Sequence, residues 1–116
     1  MSEQVEVRPW GKFKILHEGK TSKVKEITID PGQRISYQSH EKRNEKWTIL
    51  EGTGKVILEG KETEIKEGDV IRIPAKMKHR IENTSKDVEL KFLEIQTGRY
   101  FGEDDIIRYE DDYGRK

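Results

Sequence analysis

Gly32-Gln33-Arg34-Ile35-Ser36-Tyr37-Gln38-Ser39-His40, continued by Glu41-Lys42-Arg43-Asn44-Glu45-Lys46-Trp47, sets three candidate metal ligands between Gly32 and Gly52. A second glycine-led stretch runs from Gly68 through Pro74 to His79 and Asn83. In a strand, residues two apart share a face, so Gln38 and His40 point the same way, and Glu45, Trp47 and Ile49 form another row. His79 follows on a later strand. If these strands close into one barrel, Gln38, His40, Glu45 and His79 converge inside it.

Outward from these stretches the chain keeps the same rhythm. Val24 to Ile29 alternates and stops at Asp30-Pro31-Gly32, a turn signal. Further strands are expected over Arg34–His40, Glu45–Leu50, Lys55–Leu58, Glu62–Ile65, Val70–Ile73, His79–Asn83 and Val88–Thr97. The turns between them are marked by Gly52, Gly54, Gly60 and Gly68. Short strands at regular spacing with almost no 3.6-residue period imply an all-β sandwich or barrel. We divide the single domain, 1–116, into N-terminal strands (1–23), a barrel core (24–97) and a C-terminal arm (98–116). The arm mixes Tyr100, Phe101, Tyr109 and Tyr113 with acids. It reads either as a solvated segment with docked aromatics or as a closure for a barrel mouth or a dimer interface.

Composition narrows the class. The 116 residues suffice for one core. Charged residues make up 40%, yet 23 basic and 23 acidic side chains cancel and no basic stripe appears, so nucleic acid is not an expected partner. Cysteine is absent, which excludes disulfides and thiolate zinc sites. No apolar run nears the ~20 residues a membrane helix needs, and Met1-Ser2-Glu3-Gln4 does not resemble a signal peptide. No membrane partner and a cytoplasmic location are the expectations. A barrel of this size has edge strands to cover, so a homodimer is expected too.

Two imidazoles, a carboxylate and an amide oxygen suit a borderline divalent ion such as Zn, Co, Mn or Ni. A lone histidine at a strand end is more often a surface or hydrogen-bonded residue, and Gln-x-His alone says little. Four candidate ligands at matched offsets in two glycine-bounded blocks say more. Cations nearby, Arg34, Arg43, Arg80 and Lys76, are candidates for holding a phosphate or carboxylate, since the guanidinium fork matches both. In so charged a chain each is individually an ordinary surface residue. Glu94 and Gln96 interrupt the apolar face of the last strand and are read as lining the cavity. Trp10 and Trp47 are read as core, and His17 as surface.

The two blocks are similar to the paired motif of the cupin superfamily, a double-stranded β-helix or jelly-roll barrel, with Gln38 where the first histidine of HxH usually stands. A closer resemblance covers roughly residues 7 to 115. It is carried by Arg8-Pro9-Trp10-Gly11, the stretch from Pro31 to His40, Arg43-Asn44-Glu45-Lys46-Trp47, Ile73-Pro74 and His79-Arg80-Ile81-Glu82-Asn83. Glu94-Ile95-Gln96-Thr97-Gly98, Gly102 to Arg108 and Asp112-Tyr113-Gly114-Arg115 extend it. Together they resemble the type II phosphomannose isomerases, whose cupin commonly follows a mannose-1-phosphate guanylyltransferase domain.

That resemblance implies a metal site at Gln38, His40, Glu45 and His79, and a functional region that includes Arg43 and the acidic segment from Gly102 to Arg108. The unrelated type I enzymes likewise use a Gln, His, Glu, His set. It implies interconversion of mannose 6-phosphate and fructose 6-phosphate through an enediol, with a sugar phosphate as the small-molecule partner. Another sugar phosphate, or a non-catalytic binding module beside a separate guanylyltransferase, are the alternatives. The proton-shuttling base stays open between Glu94 and an acid of the run Glu103-Asp104-Asp105, because Glu45 is a poor base if it binds metal. Lys76 stands where the family usually has glycine, which bears on the turn before His79. The 116 residues contain no Gly-rich nucleotide loop, so guanylyltransferase activity is not expected of them.

Overall fold

The computed structural model describes residues 4–115, all of them in strands, turns and loops. The strands are β1 (Val5–Arg8), β2 (Gly11–Glu18), β3 (Ser22–Ile29), β4 (Tyr37–Ser39), β5 (Arg43–Glu51) and β6 (Gly54–Leu58). They continue as β7 (Lys61–Ile65), β8 (Val70–Ile73), β9 (His79–Glu82), β10 (Leu90–Gly98) and β11 (Ile107–Glu110). No helix among these residues is long and apolar enough to cross a membrane.

Two antiparallel sheets result, one in the order β1-β2-β3-β10-β5-β8 and the other β11-β4-β9-β6-β7. Between β3 and β11 the chain passes repeatedly from one sheet to the other, which is the double-stranded β-helix expected from the paired blocks. Inward residues of both sheets form one core, with Ile27, Ile49, Trp47 and Phe92 from the first and Val56, Ile65 and Ile81 from the second. β5 shows the alternation clearly. Arg43, Glu45, Trp47 and Ile49 are buried while Asn44 is exposed and Lys46 and Thr48 are half-buried. His17 is exposed, whereas Trp10 and Trp47 belong to the core.

Glycine matters most at two places. Gly52 turns the chain out of β5 with φ +86°, and a Cβ there would lie 2.5 Å from the Glu89 carbonyl oxygen. Gly98 pairs with Arg43 across β10 and β5, where a Cβ would lie 2.7 Å from the Lys42 carbonyl oxygen. No larger residue fits either close approach without moving backbone.

Three expected strands are shorter than their sequence pattern, one of them, His79–Asn83, only by ending at Glu82. Instead of spanning Arg34–His40, the strand is confined to Tyr37–Ser39, with Arg34 making a separate bridge to Glu82. The last long strand starts at Leu90 because the Ser85 hydroxyl accepts from the amides of Asp87 and Val88 and holds them in a loop. The arm is not loose. Ile107–Glu110 forms β11 and pairs with β4 at the edge of the second sheet.

Candidate active site

Three strands of two different sheets supply the ligand cluster. His40 follows directly on β4, His79 opens β9, and Glu45 lies on β5 in the facing sheet. All three are buried, and their ligand atoms lie within 4.8 Å of one another. His40 Nε2 is 3.3 Å from Glu45 Oε2, and His79 Nε2 is 4.0 Å from Glu45 Oε1.

The backbone fixes how the imidazoles face. His40 Nδ1 lies 2.6 Å from the Asp105 carbonyl oxygen and His79 Nδ1 lies 2.9 Å from that of Met77. A carbonyl can only accept, so each Nδ1 carries the proton and leaves an unprotonated Nε2 close to a Glu45 oxygen. Burial pushes the His40 pKa down to about 4, and His79 is also lowered, first by burial. Both rings are therefore neutral near pH 7. Burial would raise the Glu45 carboxyl, but His79, Arg43 and His40 together hold it down to about 2. Two lone pairs held by carbonyl-bound protons, with one carboxylate, form a donor set that fits a divalent ion.

Arg43 braces the cluster. Its Nε donates to Glu45 Oε2 at 2.8 Å and its Nη2 to His40 Nε2 at 3.2 Å. The Trp47 indole donates to Glu45 Oε1 at 2.9 Å and stands edge-on to the His79 ring. Gln38 sits opposite His79 in the strand register, and its half-buried amide donates to the Ser36 carbonyl at 3.4 Å.

An open cavity of about 150 Å³ is lined by Gln38 and by Arg43, which also contacts the cluster, together with Glu94, Lys25 and Glu103. Glu94 is buried on β10. In the register it faces Lys25 on one side and Trp47 on the other, one diagonal step from Glu45. Burial and then the Glu45 charge raise its pKa to about 7, against the pull of Lys25 and Arg43. The Gln96 amide donates to its carboxylate. Glu103 accepts from the Lys25 ammonium at 2.7 Å; burial opposes its ionisation, but Lys25 holds it below the usual carboxylate range.

The remaining candidates lie elsewhere. Arg34 makes a two-pronged pair with Asp112 at 2.7 and 2.9 Å. Arg80 donates to the Ile35 carbonyl at 2.8 Å and reaches Glu110. Lys76 is exposed, adopts the left-handed backbone itself (φ +74°), and donates its amide to the His40 carbonyl at 2.6 Å. The turn before His79 thus keeps the conformation that glycine would favour.

With this geometry the chain can be set beside known proteins. The family described as mannose-6-phosphate isomerase C-terminal matches residues 2–111. The chain belongs to that family. A mannose-1-phosphate guanylyltransferase of Salmonella montevideo is 43% identical over 108 residues, covering 93% of this chain and 23% of the relative. The xanthan biosynthesis protein XanB of Xanthomonas campestris pv. campestris (strain B100) is 40% identical over 108 residues, with 93% and 23% covered. The chain thus spans less than a quarter of the length of these curated relatives. A cupin-2 domain from Rhodospirillum rubrum shares the fold at TM-score 0.75 and 17% identity, covering 89% of this chain and 78% of that one.

Two residues of this mannose-6-phosphate isomerase C-terminal domain have roles that the sequence does not announce. Lys25 is 4% exposed, packed over the Phe13 ring and facing Glu94. Its signal was a lysine at an inward position of β3, in step with Ile27 and Ile29. Asp105 was seen only as part of an acidic run. Its carboxylate accepts from the amides of Glu41 and Lys42, each at 3.0 Å, and fixes the loop that carries His40.

Proposed function

We propose that this domain is a metal-dependent aldose–ketose isomerase that interconverts mannose 6-phosphate and fructose 6-phosphate. The observation that carries the reading is the position of Glu94, a buried carboxylate one diagonal step from Glu45, in the wall of the cavity that Arg43 also lines. A neighbouring pair of groups with one carboxyl ionised and another poised to exchange a proton is what an enediol isomerisation requires.

His40, Glu45 and His79, with Gln38 beside them, would hold the ion. When bound, a divalent ion there supplies Lewis-acid stabilisation of negative charge developing on a carbonyl oxygen. The chain's own residues do the rest. Glu94 takes the proton from C2 of the open-chain aldose and returns it to C1, while the hydroxyl proton moves from the C2 oxygen to the C1 oxygen. Lys25, opposite Glu94, balances its charge once it ionises. The Trp47 indole and the Arg43 fork keep Glu45 turned toward the histidines and away from proton transfer.

The test is turnover of mannose 6-phosphate by protein loaded in turn with Zn, Co, Mn and Ni, with His40→Ala and His79→Ala as blanks. Metal-dependent turnover lost in both variants supports the isomerase. Tight metal binding without turnover on any metal overturns it. The names of the relatives favour one second reading, a sugar-phosphate-binding module beside a guanylyltransferase, and saturable binding without turnover would select it.

A further inference from the structure

Five cations line the cavity, Arg8, Lys25, Arg43, Arg108 and Arg115, against two carboxylates, Glu94 and Glu103. Four of the five are engaged. Lys25 is paired with Glu103, and Arg43 with Glu45 and His40. Arg115 holds Asp111 with both prongs at 2.9 and 3.0 Å, and Arg8 lies over the Phe13 ring and reaches Glu6. Arg108 differs, because its Nε is buried and makes no hydrogen bond. A buried guanidinium nitrogen without a partner costs about 1–3 kcal/mol, so such a group is normally satisfied by something.

Its place in the sheet says what. Arg108 on β11 is opposite Gln38 on β4, and Gln38 is opposite His79 on β9. Residues directly opposite in neighbouring strands share a face, so all three belong to one row. Arg108 thus stands two strand spacings, ~10 Å at the backbone, from a histidine of the ligand cluster. That is the reach of an open-chain six-carbon sugar phosphate from its carbonyl end to its phosphate. The register slips between Arg108 and Glu110, the kind of bulge that re-aims a side chain.

We propose that Arg108 is the anion anchor of the cavity and binds the phosphate of a sugar 6-phosphate whose carbonyl end lies at His40, Glu45 and His79. This rests on the sugar-phosphate reading above and assigns the end of the substrate that the ligand cluster does not touch. Arg34, Arg43 and Arg80, the guanidinium groups considered from sequence, are committed to Asp112, to Glu45 and His40, and to Ile35 and Glu110.

The test is calorimetric binding of mannitol 6-phosphate, which cannot isomerise, and of inorganic phosphate to cobalt-loaded protein. Wild type is compared with Arg108→Gln and Arg108→Lys. The expected result is a loss of about 10- to 100-fold in affinity for both probes in Arg108→Gln, and a smaller loss in Arg108→Lys. Cobalt affinity should be unchanged and the melting temperature should not fall, which separates a lost contact from a lost fold. Wild-type affinity in both variants overturns the anchor and leaves the isomerase reading intact. Arg108-dependent phosphate binding without mannose 6-phosphate turnover keeps the anchor and removes the isomerase. No binding of either probe to wild type removes the anchor together with the sugar-phosphate reading.

Discussion

His40 donates its Nδ1 proton to the backbone carbonyl of Asp105, a residue 65 positions further along the chain. The C-terminal arm thereby supports the candidate metal site, since the same residue's carboxylate also accepts from the amides of Glu41 and Lys42. Asp105→Ala frees that loop and leaves two amides unpaired. We expect metal affinity to fall about 10- to 100-fold, as for other losses of support behind a ligand. Cobalt titration followed by its visible spectrum measures this, and unchanged affinity would show that the arm does not orient His40.

The Arg43–Glu45 pair is fully enclosed, with side chains 5% and 2% exposed. Removing one member of such a pair strands the other charge, at a cost of about 3–5 kcal/mol. In metal-free protein Glu45→Ala should therefore lose about that much stability in urea unfolding. Adding Arg43→Met should restore most of it. If the double variant is no more stable than the single one, the cost has another source.

Lys76 carries a Cβ through a left-handed turn at φ +74°. That conformation costs a side-chain-bearing residue roughly 1–2 kcal/mol, part of which glycine's greater unfolded freedom takes back. Lys76→Gly should raise the melting temperature by about 2–5 °C, while Lys76→Ala, which keeps the Cβ, should not. Equal melting points for both variants would mean the turn is unstrained.

Glu94 gives the pH dependence its sign. A base must be ionised to work, so turnover should rise with pH around an apparent pKa of about 7. Glu94→Gln should cost 10²–10⁴-fold in rate. Stability runs the other way. The folded carboxyl binds its proton more tightly than the unfolded one, so the folded state is favoured at low pH and loses that advantage as pH climbs through 7. Against Glu94→Gln, the wild-type melting temperature should therefore drop progressively between pH 5 and pH 8. Parallel curves for the two proteins would place the ionisation elsewhere.

Much of this architecture can be read along the chain because its devices are local. Val24–Ile29 and Val70–Ile73 announce strands by alternation, and Gly52 announces a turn that nothing larger can make. The closeness of His40 and Glu45 is legible for the same reason, since both fall within one short stretch. Ile107-Arg108-Tyr109-Glu110 is different. It is too short and too charged to signal a strand, and becomes one only by pairing with Tyr37–Ser39, some 70 residues earlier. The guanidinium groups are illegible for a related reason. Arg34 meets Asp112 across 78 positions, whereas the Arg108 Nε meets no acceptor. Local sequence holds no trace of that difference.

The ligands do not all come from one layer. His40 and His79 belong to the sheet that carries β4 and β9, and Glu45 belongs to the sheet opposite. An ion held by all three would act as a rivet through the sandwich, and it could seat only after the layers had met. Its binding energy then counts directly toward keeping the layers together. Chelation should loosen the whole molecule, and metal uptake during refolding should report the moment at which the two layers close.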